Sequence, residues 1–146
     1  MTRWKPAAAT LVLAVLFATT LSAQQPGFKR TVIQKQDLSM AGREVVQAVA
    51  EIPAGMNAGR HTHPGEEVGY LIEGSLTLMV EGKPPLTVKP GESFFVPAGV
   101  VHDGKAEGSG TAKVLATYIV EKGKPLATPA PGAILRSASS TSRRSR

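Results

Sequence analysis

The 146-residue chain has no cysteine, three histidines and one tryptophan. Without cysteine there is no disulfide, no thiol nucleophile, no thiolate metal site and no lipid-attached cysteine. Trp4 lies at the very start, so the body of the chain is built without tryptophan, and aromatics make up only 5% of the whole. The body also lacks a net charge. The formal +6 comes from Arg3 and Lys5 at one end and Arg136, Arg143, Arg144 and Arg146 at the other; the remaining 11 basic residues face 11 acidic ones. A neutral body argues against a nucleic-acid groove, which needs a basic patch on the fold itself.

Long apolar runs are missing except near the start, where Ala7 to Phe17 follows Arg3, Lys5 and Pro6 and gives way to Ser22-Ala23. A positive n-region, a short apolar core and a small-residue ending describe a secretory signal over 1–23, cleaved after Ala23. The competing expectation, an uncleaved anchor, suffers from a short stretch weakened by Thr10, Thr19 and Thr20. The sequence therefore predicts export to a periplasmic or extracellular location, with no membrane span after cleavage. An exported chain without disulfides must be stabilised by packing, self-association or a bound metal.

From 24 to 122 the chain reads as one domain of short strands. β-like runs fall at Thr31 to Gln34, Val45 to Ile52, Arg60 to His63, Leu86 to Val88, Ser93 to Val96, Val100 to His102 and Lys113 to Val120. Glu67 to Glu73 and Ser75 to Glu81 are expected to form a hairpin about Gly74. Frequent Gly and Pro between the runs, with no long helical pattern, indicate an all-β barrel or sandwich. Val45 to Ile52 is compatible with a helix by composition, but its context favours a strand. After Gly123 the composition shifts to Pro125, Pro129, Pro131, a Ser/Ala/Thr run and terminal arginines. The segment 123–146 is expected to be a disordered tail, dispensable for metal binding and assembly.

All three histidines belong to one arrangement: His61, His63 two residues on, Glu67 shortly after, and His102 further along. On a strand, His61 and His63 project to one face. Pro64-Gly65 lets the chain bend before Glu67 brings a carboxylate to the same place. Three imidazoles and a carboxylate form a mixed N/O set suited to one divalent transition metal (Mn, Fe, Co, Ni, Cu or Zn) rather than to Ca or Mg. Glu66, the adjacent carboxylate, falls on the opposite face of a strand.

The residues around these ligands carry a family pattern. The first segment reads Gly55, five residues, His61, one, His63, three, Glu67, six, Gly74; the second reads Gly91, five residues, Pro97, one, Gly99, two, His102. Sixteen residues, Ser75 to Pro90, separate them. These resemble the two signature motifs of the cupin superfamily in its short, single-domain (type 2) form, over roughly Gln47 to Val120. One position departs: Ala106 stands where the pattern often has an Asn with a structural role in a turn.

The resemblance implies a single jelly-roll β-barrel with a metal on His61, His63, Glu67 and His102, open to solvent or substrate. A closed tetrahedral zinc site with the same ligands is the alternative. It also implies enzyme chemistry on a small, metal-chelating organic substrate, dioxygenase-like or a related oxidoreductase or isomerase reaction. Glu67 would act as ligand or, leaving the metal, as catalytic base. A non-catalytic periplasmic module that binds metal or a small ligand is the second expectation. Phe94, Phe95, Tyr70 and Met79 are read as core in preference to pocket wall. A homodimer is expected, because a small barrel leaves strand edges and apolar faces to cover.

Overall fold

Alternation decides the architecture. The strands Arg43–Ile52 and Ala112–Glu121 switch between inward and outward residues along their whole length, as half-buried strands do. The structure, a computed structural model, describes residues 27–132. The expected signal segment 1–23 and residues 133–146 of the expected tail lie outside the described residues.

Ten strands are present among the described residues: β1 (Lys29–Asp37), β2 (Arg43–Ile52), β3 (His61–Thr62), β4 (Gly65–Glu73), β5 (Leu76–Val80), β6 (Leu86–Val88), β7 (Ser93–Val96), β8 (His102–Ala106), β9 (Ala112–Glu121) and β10 (Thr128–Pro129). They form two antiparallel five-stranded sheets, ordered β1-β2-β9-β4-β7 and β10-β3-β8-β5-β6. This is the all-β jelly-roll barrel expected from the sequence. The described residues contain no helix, and so none long and apolar enough to cross a membrane.

The core lies between the sheets. Val46, Ala48, Ala50 and Ile52 from β2 and Val114, Ala116, Tyr118 and Val120 from β9 face Leu76, Leu78 and Val80 from β5 and Val88 from β6. Many inward positions are small. Ala48 and Ala116 are register partners and both fully buried, and Gly104 of β8 faces inward as well. Small side chains on facing strands leave room inside the barrel beside the few large ones.

Three sequence expectations need correction. β4 and β5 do not form a hairpin: β4 pairs with β7 and β9, whereas β5 pairs with β6 and β8. Gly74 is instead the corner where the chain passes from one sheet to the other. Its φ is +78°, and a Cβ there would lie 2.5 Å from the Thr111 carbonyl oxygen, so the corner requires glycine twice over. The strand expected at Val100 to His102 in fact begins at His102 and runs to Ala106. Val100 and Val101 belong to the turn after Pro97, closed by the Val100 N–H on the Pro97 carbonyl.

The third correction concerns the boundary at Gly123. The described part of the tail packs on the barrel: Thr128 and Pro129 pair with Thr62 and His61, and the Ala130 N–H donates to the Arg60 carbonyl at 2.9 Å. Proline tolerates this place because β10 is the edge of its sheet.

Candidate metal centre

The four side chains selected from the sequence come from both sheets. His61 of β3 and His102 of β8 are register partners, which sets their imidazoles side by side. His63 follows on the same face just past the end of β3. Gly65 then steps the chain against β9, so close that a Cβ would fall 2.0 Å from the Ile119 carbonyl oxygen. Two residues into β4, Glu67 points inward from the opposite sheet and is paired on the backbone with Tyr118 and Val96. The second motif is tied to the first through the Gly99 N–H, which donates to the His63 carbonyl at 3.0 Å.

The reactive atoms converge. His63 Nε2 lies 3.2 Å from Glu67 Oε2, His102 Nε2 lies 3.1 Å from the same oxygen, and His61 Nε2 lies 3.2 Å from His63 Nε2. His63, Glu67 and His102 are buried and His61 is half-buried. Glu66 faces the other way, as expected.

Each imidazole is held by a backbone carbonyl at its other nitrogen. Nδ1 of His61 donates to Gly59 O at 2.6 Å, that of His63 to Leu126 O at 2.5 Å, and that of His102 to Val100 O at 3.0 Å. A carbonyl only accepts, so Nδ1 carries the hydrogen and Nε2 is left to face the centre. One of these carbonyls is itself fixed: buried Asp103 accepts from the Gly59 N–H and from Asn57 Nδ2, each at 2.9 Å.

Electrostatics suit a cation. Burial pushes the His61 imidazole down to about 3, assisted by the charge of His102 and against the Gly59 hydrogen bond. Burial alone would raise the Glu67 carboxyl. Hydrogen bonding and charge from His102 and His63 outweigh it and hold Glu67 far below the usual carboxylate range. The result is a neutral imidazole, two further Nε2 atoms and an ionised carboxylate turned toward one point. His61, His63 and His102 form a cluster that can hold a metal ion. The donor set fits one, because only a cation or a shared proton offsets facing lone pairs at these separations.

Beside the cluster is a small cavity, open to solvent and walled by Phe28, Arg30, Phe94 and Tyr118 together with His61, Glu67 and His102. Phe94 is buried in the core, as expected, and its ring also walls the cavity and lies over Gly69, its register partner. Phe95 and Tyr70 point outward and are exposed. Arg30 and Tyr118 were not singled out by sequence reasoning. The Tyr118 ring lies 4.6 Å from the His63 ring. Burial and the charge of Glu67 raise its phenol above the ordinary tyrosine range, with Arg30 opposing, so it is a neutral donor. Ala106, which replaces the expected Asn, is fully buried in the core and its backbone N–H and carbonyl bond to Met56 and Gly55.

Comparison with known proteins bears on the fold that carries this centre. The family described as Cupin domain matches residues 48–118. Dimethylsulfoniopropionate lyase DddQ of Ruegeria pomeroyi is 37% identical over 54 residues, 37% of this chain and 27% of the relative. The match thus spans about a quarter of that protein's length. The crystal structure of the same lyase superposes with a TM-score of 0.53 at 25% identity, covering 58% of this chain and 42% of the lyase. A protein with a double-stranded β-helix domain from Klebsiella pneumoniae superposes with a TM-score of 0.59 at 16% identity, covering 75% of this chain and 90% of that one.

Proposed function

This chain belongs to the cupin family, and on that premise we propose that it is a metal-dependent enzyme that moves a proton on a small, metal-chelating organic molecule. The observation that carries this reading is Glu67: a buried carboxylate, held ionised, in contact with two imidazole Nε2 atoms and lining an open cavity. His61, His63, Glu67 and His102 would hold one divalent transition metal, which when bound supplies Lewis-acid polarisation of a substrate oxygen.

The protein's own groups do the rest. Glu67 accepts a proton from the substrate carbon next to the polarised group, acting as general base when its oxygen is released from the cluster. The neutral Tyr118 phenol offers a hydrogen to developing negative charge or to a leaving group. Phe28, Phe94 and the aliphatic wall give the reacting atoms a largely apolar surround. Proton abstraction followed by loss of a leaving group is lyase chemistry, and the partial likeness to dimethylsulfoniopropionate lyase DddQ supports that class over the dioxygenase-like one. Export through the 1–23 segment belongs to the same reading; mass spectrometry of the native protein should begin at or near Gln24.

The test is turnover by metal-loaded protein of a panel holding dimethylsulfoniopropionate, a diketone, a flavonol and oxalate, with products followed by NMR and oxygen by electrode. Product without oxygen uptake supports proton transfer. Oxygen uptake coupled to product would replace it with the dioxygenase-like reading. Tight metal binding with no turnover of any compound would favour the non-catalytic binding module.

A further inference from the structure

Arg30 is the feature of the cavity that the proposed proton transfer does not use. It is carried on β1, outside the segment 48–118 that matches the cupin domain. Phe28 and Arg30, two residues apart, both turn toward the cavity. The guanidinium carbon lies 5.2 Å from the centre of the Phe28 ring and 5.7 Å from that of Tyr118. Two aromatic rings thus lie against it, and the Tyr118 ring is also 4.6 Å from that of His63.

The guanidinium is incompletely satisfied. Its Nε is buried and has no hydrogen-bond partner among the described residues. Arg30 also makes no ion pair within 4.0 Å among them. The cavity's acid, Glu67, is already committed to His63 and His102. Arginine keeps its charge at any ordinary pH, and a buried donor left unpaired is destabilising, the more so when it is charged. A permanent cation at the wall of a small and otherwise mostly apolar cavity, with only the Tyr118 phenol beside it, lacks an anion. The two terminal Nη nitrogens of the planar guanidinium match a carboxylate in two parallel hydrogen bonds.

We propose that Arg30 is the anion receptor of this cavity and that the substrate is a small organic acid, its carboxylate on the guanidinium and its reactive end toward the histidine and glutamate cluster. This deepens the proposed function and rests on it for the identity of the reactive end. The receptor itself stands on the guanidinium's lack of an anionic partner among the described residues and on the two rings. It makes Arg30 a specificity-determining residue contributed by the amino-terminal strand.

The probe is propionate, with uncharged propionamide as control, titrated by NMR into zinc-loaded and metal-free protein. Wild type, Arg30→Met and Arg30→Lys are compared. Arg30→Met keeps the length and apolar stem of the side chain and should weaken propionate binding on the order of tenfold or more, in both metal states. Propionamide binding and zinc content should not change, because Arg30 is not among the cluster residues. Arg30→Lys, which keeps the charge but not the fork, should fall between the two. Equal propionate affinity in wild type and folded Arg30→Met overturns the proposal, as does wild type that binds no propionate in either state. Should Arg30→Met fail to fold, Arg30→Lys decides: undiminished propionate binding there overturns it. Wild type that binds no zinc yet shows Arg30-dependent propionate binding would defeat the metal reading and leave the receptor standing.

Discussion

The hydrogen on Nδ1 of His63 is taken by the Leu126 carbonyl, and the corresponding bonds of His61 and His102 go to Gly59 and Val100. Each Nε2 is thereby aimed at its neighbours, and removing one imidazole removes a ligand together with the partner of a fixed carbonyl. His63→Ala and His102→Ala should lose most bound metal and some stability, while Glu66→Ala, on the opposite face of β4, should retain it. Elemental analysis of the purified variants checks this; equal metal content in all of them would remove the site. The same residues set an acid limit on the metal-free protein. His61 is lowered from 6.5 to about 3 in the folded state, so between those values the unfolded chain binds more protons. Stability from this group is complete above about pH 6.5 and is lost as pH falls toward 3. The depressed Glu67 acts in the same direction at lower pH. Melting of metal-free protein should therefore occur at lower temperature at pH 4.5 than at pH 7, and the reverse order would contradict a neutral buried His61. The cluster was legible in the sequence because the chain spends all its histidines there at characteristic spacings. Arg30 and Tyr118 were not. Tyr118 sits in an apolar run that reads as core, and Arg30 is one of 11 basic residues in a neutral body, with only its i, i+2 relation to Phe28 as a signal.

At the scale of elements, the strands were legible from alternation and the connections were not. The runs on either side of Gly74 alternate as hairpin strands do, and glycine is what a tight turn wants. Only the pairing of β4 with β9, and of β5 with β8, shows that the glycine serves a corner between sheets. Register partners far apart in the chain leave no local mark. The segment after Gly123 misled for a related reason. Its prolines suggest a chain that cannot pack, yet β10 needs only an edge, and Pro129 takes one. This reverses the expectation that the tail is dispensable. Leu126 packs against the core and its carbonyl holds His63, so the segment from Lys124 to Pro131 straps a ligand in place. Truncation after Gly123 should lower metal affinity by about 10- to 100-fold, the usual effect of losing an outer partner of a metal-binding histidine. Truncation after Gly132 should leave that affinity unchanged. The two shortened proteins, titrated with zinc in competition with a chelating dye, separate the strap from the rest of the tail; identical affinities would show that Leu126 contributes nothing.

For the whole molecule, the open question is what covers the outer face of the β1-β2-β9-β4-β7 sheet. An antiparallel sheet with one face in the core ordinarily turns polar residues to water. In this sheet β4 presents Val68, Tyr70 and Ile72, β7 presents Phe95 and β9 presents Ile119, all exposed. Val68 and Phe95 are register partners, and Ile119 is paired with Glu66 one step along, so the five side chains form one continuous surface on three adjacent strands. A surface of that kind on a small domain is what an interface would use, and we propose that it is one. A second copy of the chain is the occupant that the rest of the molecule favours. The body is neutral, so self-association meets no net repulsion. A chain without cysteine gains from burial what it cannot gain from disulfides. A two-fold pairing through one apolar face is self-complementary. Strand alternation also separates this face from the chemistry: Glu67, Gly69 and Leu71 point inward where Val68, Tyr70 and Ile72 point out. Light scattering at micromolar concentration should accordingly give about twice the chain mass. The double substitution Val68→Lys and Phe95→Lys should halve that mass while leaving zinc content and the propionate affinity assigned to Arg30 as in wild type. A wild-type protein that stays monomeric across a hundredfold range of concentration would show that this face meets something other than its own copy. Loss of zinc in the double variant would show that the two faces of β4 are not independent.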